Sequence, residues 1–497
     1  MKDLYDFAVL GAGPGGYTAA LEAADLGLSV TVIEKDLVGG TCLNRGCIPT
    51  KAMLHACGEY RRMKNAEEYG IRIGRSASPE KEEDVLIDAR VADGIDPEKL
   101  FSYRDGTVAV LRSGIEKRFR AGKIDLFRAE GTLTEDGLLL RHTDRKAPEG
   151  ELPGEAFSDG DTIHARNILL AAGSEPSRLP VPGMDLPGVL TSDDLLSVRE
   201  LPESIVIIGG GVIGCEFACL LSDLGISVTI LEALPRILCN MDREISQSLR
   251  MVLKKRGVDI HAGITVSRIE RSQDARMSCR YTEAEEEKTV TAQYILCAAG
   301  RRAVSAAFPA LQQERGRILT DGNLMTSRTH VYAAGDLIPG IQLAHSAEAE
   351  GKFCARLAAA DCGRPVGPDV CDRALIPSCI YTDPEIACVG QTEEEAAAAG
   401  IAAVTGKAVT GANARSVITK EERGFMKIVA EKETGRILGA QYMCARASDM
   451  IGEMTLAIAN GLTVSDCLKA VRPHPTYEEL LTDALESAAR HGAGGLI

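Results

Sequence analysis

Tryptophan is absent from the chain, and Phe, Tyr and Trp together make up only 4% of it. That scarcity argues against a row of aromatic platforms for single-stranded nucleic acid. Positive charge is also short. Lys and Arg number 56 against 71 Asp and Glu, a net charge of −15, where a nucleic-acid binder needs a basic face. No run reaches the ~18 apolar residues of a membrane span. The opening Met1-Lys2-Asp3-Leu4-Tyr5-Asp6-Phe7 has no signal-peptide hydrophobic region, so the expected compartment is the cytoplasm. Cysteine is plentiful at 15 but odd in number and irregular in spacing. In a reducing compartment most of these should pack as small apolar residues, and any disulfide should be catalytic rather than structural. What remains is a soluble composition, 45% hydrophobic and 26% charged over 497 residues, enough for about three domains. Glycine is abundant at 50, so where it clusters is informative.

The chain repeats itself once. The apolar run Phe7 to Leu10 enters Gly11-Ala12-Gly13-Pro14-Gly15-Gly16, then an Ala/Leu-rich helical pattern, then Leu28 to Ile33 and Glu34. Downstream, Ile205 to Ile208 enters Gly209-Gly210-Gly211-Val212-Ile213-Gly214, a helical pattern, Ile226 to Leu231 and Glu232. In each copy the acid lies 23 positions after the first glycine, and Asp25–Glu34 agrees with Asp223–Glu232 at seven of ten positions. This is a duplicated βαβ unit. The first glycine (Gly11, Gly209) turns the chain. The second (Gly13, Gly211) admits a pyrophosphate to the helix N-terminus, and the third (Gly16, Gly214) lets helix and strand pack. Glu34 and Glu232 are placed to accept from an adenosine ribose diol. One such fingerprint is weak; two complete ones predict two dinucleotide sites.

Other segments read less sharply. Glu82 to Leu100 is acidic and expected at the surface. Arg120 to Leu140 reads as strands around Gly131, and Arg141 to Gly160 as a hairpin or loop insertion. Ile168 to Leu170 and Ile295 to Cys297 read as twin buried strands, the second followed by Gly300. Val331 to Ala334 should be a strand ending at Gly335-Asp336. Beyond about Ala374 the pattern becomes a separate α+β domain, with strands Met426 to Ala430 and Ile437 to Met443 before a helix from Ala447 to Asn460.

Directly after the first βαβ unit comes Gly39-Gly40-Thr41-Cys42-Leu43-Asn44-Arg45-Gly46-Cys47-Ile48-Pro49-Thr50-Lys51. In an ideal helix, cysteines five apart have Cα atoms roughly 8–9 Å apart, beyond the ~7 Å reach of a disulfide. Bridging needs a distorted turn, which Gly46 permits and Pro49 favours. Such a small loop gains little stability from closure, and a strained bridge is easily reduced. The pair reads as a redox couple. Half of a metal site and two packed thiols are the alternatives, and no second Cys/His pair at metal spacing stands nearby.

These words resemble the flavoprotein pyridine nucleotide–disulfide oxidoreductases over nearly the whole chain. The likeness includes both fingerprints, Ala333-Ala334-Gly335-Asp336, Pro377 to Gly390 and His474-Pro475-Thr476-Tyr477-Glu478-Glu479. Cys42-Leu43-Asn44, Cys47-Ile48-Pro49-Thr50-Lys51 and Gln342-Leu343-Ala344-His345 are most similar to the dihydrolipoamide dehydrogenase branch. The resemblance implies an α/β fold of two Rossmann-like dinucleotide-binding domains plus a C-terminal α+β dimerisation domain. It places an FAD domain at 1–176, an NAD domain at 177–299, a central segment completing the FAD domain at 300–368 and dimerisation at 369–497. Gly11, Gly13, Gly16, Glu34, Gly131, Asp336 and Ala344 would hold FAD, and Gly209, Gly211, Gly214, Glu232 and Gly300 would hold NAD. Cys42 would exchange with substrate and Cys47 face the flavin. Lys51 and Glu216 would form an ion pair beside the flavin and nicotinamide. His474 would be the base, oriented by Glu479 and acting in a homodimer's partner active site. The implied substrate is the lipoyl-bearing protein of a 2-oxoacid dehydrogenase or glycine-cleavage complex, without nucleic acid, membrane or metal.

Two departures stand out. Arg45 occupies a position between the cysteines where an apolar residue is common, and Ala303 replaces a usual proline. A mercuric reductase would carry an extra C-terminal cysteine pair, whereas the last cysteine here is Cys467. A glutathione reductase-type enzyme uses NADPH and places Arg beside the second acid; Glu232 is followed by Ala233-Leu234-Pro235, with Arg236 next. A flavin-binding subunit without turnover would not need Cys42, Cys47, His474 and Glu479 together.

Overall fold

A computed structural model describes residues 2–71, 94–144, 152–367, 372–373, 375–421 and 423–495. The chain groups into two compact units, Met1–Pro49 with Tyr103–Ser177 and Gly300–Ala374, and Thr50–Ser102 with Arg178–Ala299 and Leu375–Ile497.

In the first unit, β1 (Tyr5–Leu10) runs through the glycine loop into α1 (Pro14–Asp25) and on to β2 (Val30–Glu34). Along the chain the helices α2 (Gly40–Arg45), α3 (Cys47–Lys64) and α4 (Pro97–Ala121) follow, with most of α3 and the start of α4 belonging to the second unit, then the first unit's strands β3 (Asp125–Leu133), β4 (Leu138–His142), β5 (Thr162–Ile163) and β6 (Ala165–Leu170). The sheet order is Val331–Ala333, β6, β1, β2, β3, β4, β5. The first five of these are parallel, with Val9 in register with both Val32 and Leu169. The last two strands turn antiparallel. Phe7 to Val9 and Val32 to Ile33 are completely buried, as expected of parallel strands covered on both faces, so these runs are continuous rather than alternating. Helix Ala344–Asp361 meets α1 backbone to backbone: a Cβ on Gly351 would lie 2.1 Å from the Gly15 carbonyl oxygen.

The second unit repeats the plan. Its parallel sheet runs Asp259–Ala262, Ser227–Glu232, Ser204–Ile208, Tyr294–Cys297, Val189–Thr191. A three-stranded antiparallel sheet (Thr265–Arg271, Met277–Glu283, Glu286–Ala292) packs beside it through Ile269, Cys279 and Tyr281. The C-terminal part is an antiparallel sheet ordered Ser378–Ile380, Glu385–Gly390, Ile437–Cys444, Phe425–Glu431, Ala403–Val409. Helices Ala447–Ala459 and Glu479–Arg490 bury Met454, Leu480, Ala484 and Leu485 in its core.

Three local expectations are met only in part. The acidic stretch Glu82 to Leu100 lies largely outside the described residues; at its described end Gly94, Asp96, Glu98 and Lys99 are exposed as expected, and its last residue turns inward. Pro97 opens α4, and Leu100 is 4% exposed, packed with Phe101 in the second unit's core. The strands expected from Arg120 start only at Asp125, because α4 continues to Ala121. Within 141–160, residues 145–151 lie outside the described set; beyond them Leu152 and Phe157 pack on the first core, and Glu155 donates to the Leu126 carbonyl at 2.7 Å. Of the 14 described cysteines, eight are buried, in keeping with their use as apolar filler. Burial pushes the thiols of Cys57, Cys219 and Cys279 up to about 12.

Candidate active site

The two glycine loops have the same geometry. Gly11 and Gly209 take φ of +100° and +112°, and a Cβ there would sit 2.4 Å from Ala171 O and 2.5 Å from Ala298 O. At Gly16 and Gly214 a Cβ would lie 1.9 Å from the carbonyl oxygen of Gly11 and Gly209. Neither position admits a side chain without moving backbone. Gly13 and Gly211 differ: they are the N-caps of α1 and of helix Val212–Asp223, with no side-chain cap, and nothing lies within 4 Å of an added Cβ. Each helix therefore presents uncapped N–H groups and its positive dipole end to open space, the arrangement that receives a pyrophosphate.

The acids at the strand ends also match. Glu34 accepts from Ala12 N–H at 2.7 Å and Asp36 N–H at 2.8 Å. Glu232 accepts from Gly210 N–H at 2.5 Å and Leu234 N–H at 2.7 Å. Each is 8% exposed. Their first task is thus to tie the strand end to the glycine loop, which leaves the remaining lone pairs for a ribose. Burial pushes the Glu34 carboxyl up, against the pull of the two N–H groups. Arg236, the basic residue nearest Glu232 in sequence, spends its guanidinium on the Leu238 and Met241 carbonyls, at 3.4 and 2.9 Å.

Between the cysteines the helix breaks. α2 ends at Arg45, Gly46 takes φ −140° and ψ −107°, and α3 begins at Cys47. A Cβ on Gly46 would meet Thr41 O at 3.0 Å and Cys42 Cα at 3.4 Å, so glycine lets the chain double back on Cys42. Cys42 and Cys47 are both half-buried. The intervening side chains are all anchored. Leu43 is buried. Asn44 donates to the Val38 and Gly40 carbonyls at 3.0 and 2.9 Å and accepts from Arg112 at 2.8 Å. Arg45 is ion-paired with Asp36.

Lys51, one helical turn beyond Cys47 on α3, is not a solvated charge. Its Nζ lies 2.9 and 2.7 Å from the two carboxylate oxygens of Glu216, which is 3% exposed. Tyr381 N–H donates to the same carboxylate at 3.0 Å, and its ring lies 4.8 Å under the ammonium. His474 Nδ1 lies 2.8 Å from Glu479 Oε1. Thr476 N–H donates to Glu479 Oε2 at 2.9 Å, and Asn413 Nδ2 holds the Thr476 carbonyl at 2.9 Å. Thr476 N–H and the His474 ring hold the Glu479 carboxyl below the ordinary glutamate value. The His474 side chain is 71% exposed.

In the first unit Asp336 accepts from Ser174 Oγ, which also takes Arg301 Nε at 2.8 Å. Close by in sequence, the Gln342 side-chain nitrogen is buried without a hydrogen-bond partner among the described residues. It stands just before the N-terminus of helix Ala344–Asp361, whose N-cap Leu343 has no side-chain cap. An orphaned buried donor beside an open helix end fits an acceptor-rich ring system such as a flavin pyrimidine. Gly131 is packed closely, since a Cβ there would lie 2.5 Å from Leu10 Cδ1. Gly300 takes φ +99° with open space around it. Sequence reasoning missed Asp36, Tyr381, Asn413 and Ser174. Of these only Tyr381 fell inside a quoted motif, and nothing local marked its role.

Comparison with known proteins gives the family. Residues 5–351 match the family model described as pyridine nucleotide-disulphide oxidoreductase, and residues 376–485 match that family's dimerisation domain. A dihydrolipoyl dehydrogenase of Halobacterium salinarum is 35% identical over 98% of this chain and 96% of its own. One from Bacillus subtilis is 34% identical over 98% of each. Among solved structures, the HOCl-induced flavoprotein disulfide reductase RclA of Escherichia coli, in its Cu(II) complex, superposes with TM-score 0.79 at 26% identity, covering 98% of this chain and 99% of that one. The duplicated glycine loops, the broken helix between two cysteines and the paired Lys51–Glu216 and His474–Glu479 are thus found in a chain that belongs to the pyridine nucleotide-disulphide oxidoreductase family.

Proposed function

We propose that this chain is a dihydrolipoyl dehydrogenase, which reoxidises protein-bound dihydrolipoamide through a Cys42–Cys47 redox couple with FAD and NAD. The observation that carries this reading is the helix break at Gly46 between two half-buried cysteines, in a chain whose full-length curated relatives bear that activity's name. FAD would lie along Gly11, Gly13, Gly16 and Glu34, with Asp336 on its ribitol chain and Gln342 and Ala344 toward its ring. NAD would lie along Gly209, Gly211, Gly214 and Glu232. Bound flavin supplies a two-electron acceptor that can hand a hydride to nicotinamide.

The chain's own groups do the rest. Cys42 exchanges with the substrate dithiol and Cys47 takes the inner position. Exchange needs a thiolate. With Nδ1–H donating to Glu479, His474 Nε2 keeps its lone pair and takes the substrate's proton. The Glu479 carboxylate, held ionised by Thr476 N–H, stabilises the imidazolium that results. Lys51 is held by Glu216 in a fixed position one turn past Cys47. The exposed His474 is the base for the partner subunit's cysteines in a homodimer formed through the domain at 376–485. Glu232, with Arg236 spent on backbone carbonyls, favours a ribose diol over a 2′-phosphate.

The test is the purified protein assayed with dihydrolipoamide plus NAD against NADPH plus small disulfides. Turnover confined to the first pair is expected. Preferential NADPH-driven disulfide reduction would overturn the assignment in favour of a glutathione reductase-type enzyme. Mixing Cys47→Ser and His474→Gln proteins under subunit exchange should restore one intact site per heterodimer. Exchange without recovered activity would place the base in cis.

A further inference from the structure

His474 is carried by a segment that its own backbone does not hold. Among the described residues no backbone–backbone hydrogen bond involves 471–476, and Val471, Pro473, His474 and Pro475 are all exposed. Side chains do the holding. After His474, Glu479, Thr476 and Asn413 fix the turn, and Thr476 Oγ1 donates to the Pro473 carbonyl at 2.8 Å. Before His474 the anchor is Arg472, whose side chain is 4% exposed. Its Nη1 donates to Thr482 Oγ1 at 3.0 Å and to the Ala470 carbonyl at 3.3 Å, and its Nη2 is paired with the Glu453 carboxylate. Thr482 lies one turn after Glu479 on helix Glu479–Arg490, and Glu453 lies on helix Ala447–Ala459. The guanidinium thus ties the chain ahead of His474 to the helix that carries the carboxylate partner of His474, and to a second helix. Arg472 Nε is buried without a hydrogen-bond partner among the described residues. Burying a cation with one donor unmet is costly, so stability alone does not account for this anchor.

We propose that Arg472 is a positioning residue for the base: by clamping the chain ahead of His474 to Thr482 and Glu453, it fixes where the imidazole Nε2 stands. This rests on the reading of His474 as the base in dihydrolipoamide oxidation. The lever is short and stiff. One residue, Pro473, separates Arg472 from His474, and its ring fixes φ. Arg472 and His474 each precede a proline, which restricts their own backbone. A displacement at Arg472 is therefore passed to His474 rather than absorbed. A misplacement of ~1 Å between reacting groups costs on the order of a hundredfold in rate. Arg472 neither takes nor gives the proton, which moves from the substrate thiol to Nε2. Its charge is met by Glu453, while Glu479 holds Nδ1. Glu479 sets the basicity of the imidazole, and Arg472 sets its place.

The test compares Arg472→Met, Arg472→Lys and Thr482→Val holoenzymes with wild type in two reactions. One is dihydrolipoamide oxidation with NAD. The other is NADH oxidation by ferricyanide, which draws electrons from the flavin without a base at the cysteines. Arg472→Met should lower kcat for dihydrolipoamide roughly ten- to a hundredfold, with KM within about threefold and ferricyanide reduction within about twofold of wild type. The pH at which lipoamide kcat is half-maximal should stay where it is, because the His474–Glu479 pair is intact. Arg472→Lys keeps the pairing with Glu453 but lacks the planar fork, and should recover part of the loss. Thr482→Val is isosteric and removes one hydrogen bond; it should cost roughly two- to fivefold in the same kcat, and it decides the matter if Arg472→Met does not fold. Equal losses in both reactions would mark a structural role, a shifted pH profile an electrostatic one, and unchanged lipoamide turnover no role at all; each overturns the proposal. The underlying reading is checked separately. Wild type should turn over dihydrolipoamide, and His474→Gln should not. If that contrast is missing, the base assignment itself fails, whatever the Arg472 variants do.

Discussion

Lys51 and Glu216 come from α3 and from helix Val212–Asp223, 165 residues apart. With nitrogen–oxygen distances of 2.9 and 2.7 Å and an effective dielectric near 20, their attraction is about 5 kcal/mol. Removing a carboxylate from water costs several kcal/mol, so the pair is close to break-even as an intact unit. The single variants are not symmetrical. Lys51→Met strands the Glu216 carboxylate, 4% exposed at its side chain, with Tyr381 N–H its one remaining partner described above; the expected cost is about 3–4 kcal/mol. Glu216→Gln keeps an amide oxygen for Tyr381 N–H. It leaves Lys51, 27% exposed, able to reach water and lie over the Tyr381 ring, a contact of ~0.5–1 kcal/mol. Its cost should be about 1–2 kcal/mol. The Lys51→Met/Glu216→Gln double variant should cost less than the sum of the singles by ~1.5 kcal/mol or more. The assay is the melting temperature of the holoenzyme at fixed saturating cofactor, with about 2–4 °C expected per kcal/mol. Equal costs for the two singles, or additivity within ~0.5 kcal/mol, would refute the argument that the burial of Glu216 controls the pair.

Other expectations follow from the same geometry. Cys47→Ser should abolish lipoamide turnover while the flavin stays bound, because in the proposed site the glycine loop and Asp336 would hold the cofactor independently; a colourless purified variant would contradict this. Gly214→Ala must push backbone at the Gly209 carbonyl, 1.9 Å from the new Cβ. It should raise the KM for NAD roughly ten- to a hundredfold, as overpacking of ~1–3 kcal/mol implies, with flavin absorbance unchanged; an unaltered KM would count against the second glycine loop as the NAD site. Glu479 has a folded-state pKa lowered from 4.5. Its stabilising contribution is therefore present above 4.5 and lost as pH falls through the lowered value. Glu479→Gln should flatten the acid limb of a stability–pH profile and cost at least tenfold in turnover; an unchanged limb with full activity would remove Glu479 from the site.

The parts of this protein that could be read along the chain are those fixed by short-range sterics. Gly11 and Gly209 must turn with positive φ, Gly16 and Gly214 must let a helix sit on a carbonyl, and Gly46 must break a helix between two cysteines. Each of these constraints is satisfied within a few residues of the motif that declares it, so the duplicated βαβ plan and the redox loop are visible without coordinates. The buried parallel strands are legible for a similar reason, since cover on both faces makes them continuously apolar.

Charge offers no such local sign. Lys51, Arg45 and Arg236 look alike in sequence. The family resemblance named Glu216 as the partner of the first, but the residue pattern did not; the fold shows that Lys51 also lies over Tyr381, that the second is paired with Asp36, and that the third is spent on carbonyls. The burial of Leu100 after an acidic stretch, the hold of Asn413 on the Thr476 turn and the capture of Asp336 by Ser174 belong to the same class. The sequence by itself determined where backbone must bend and where ligands can approach it, because those are local steric facts. Which charges are cancelled, buried or left facing outward was decided by tertiary structure alone, because an ion pair between residues tens to hundreds of positions apart imposes no periodicity on the chain that carries it.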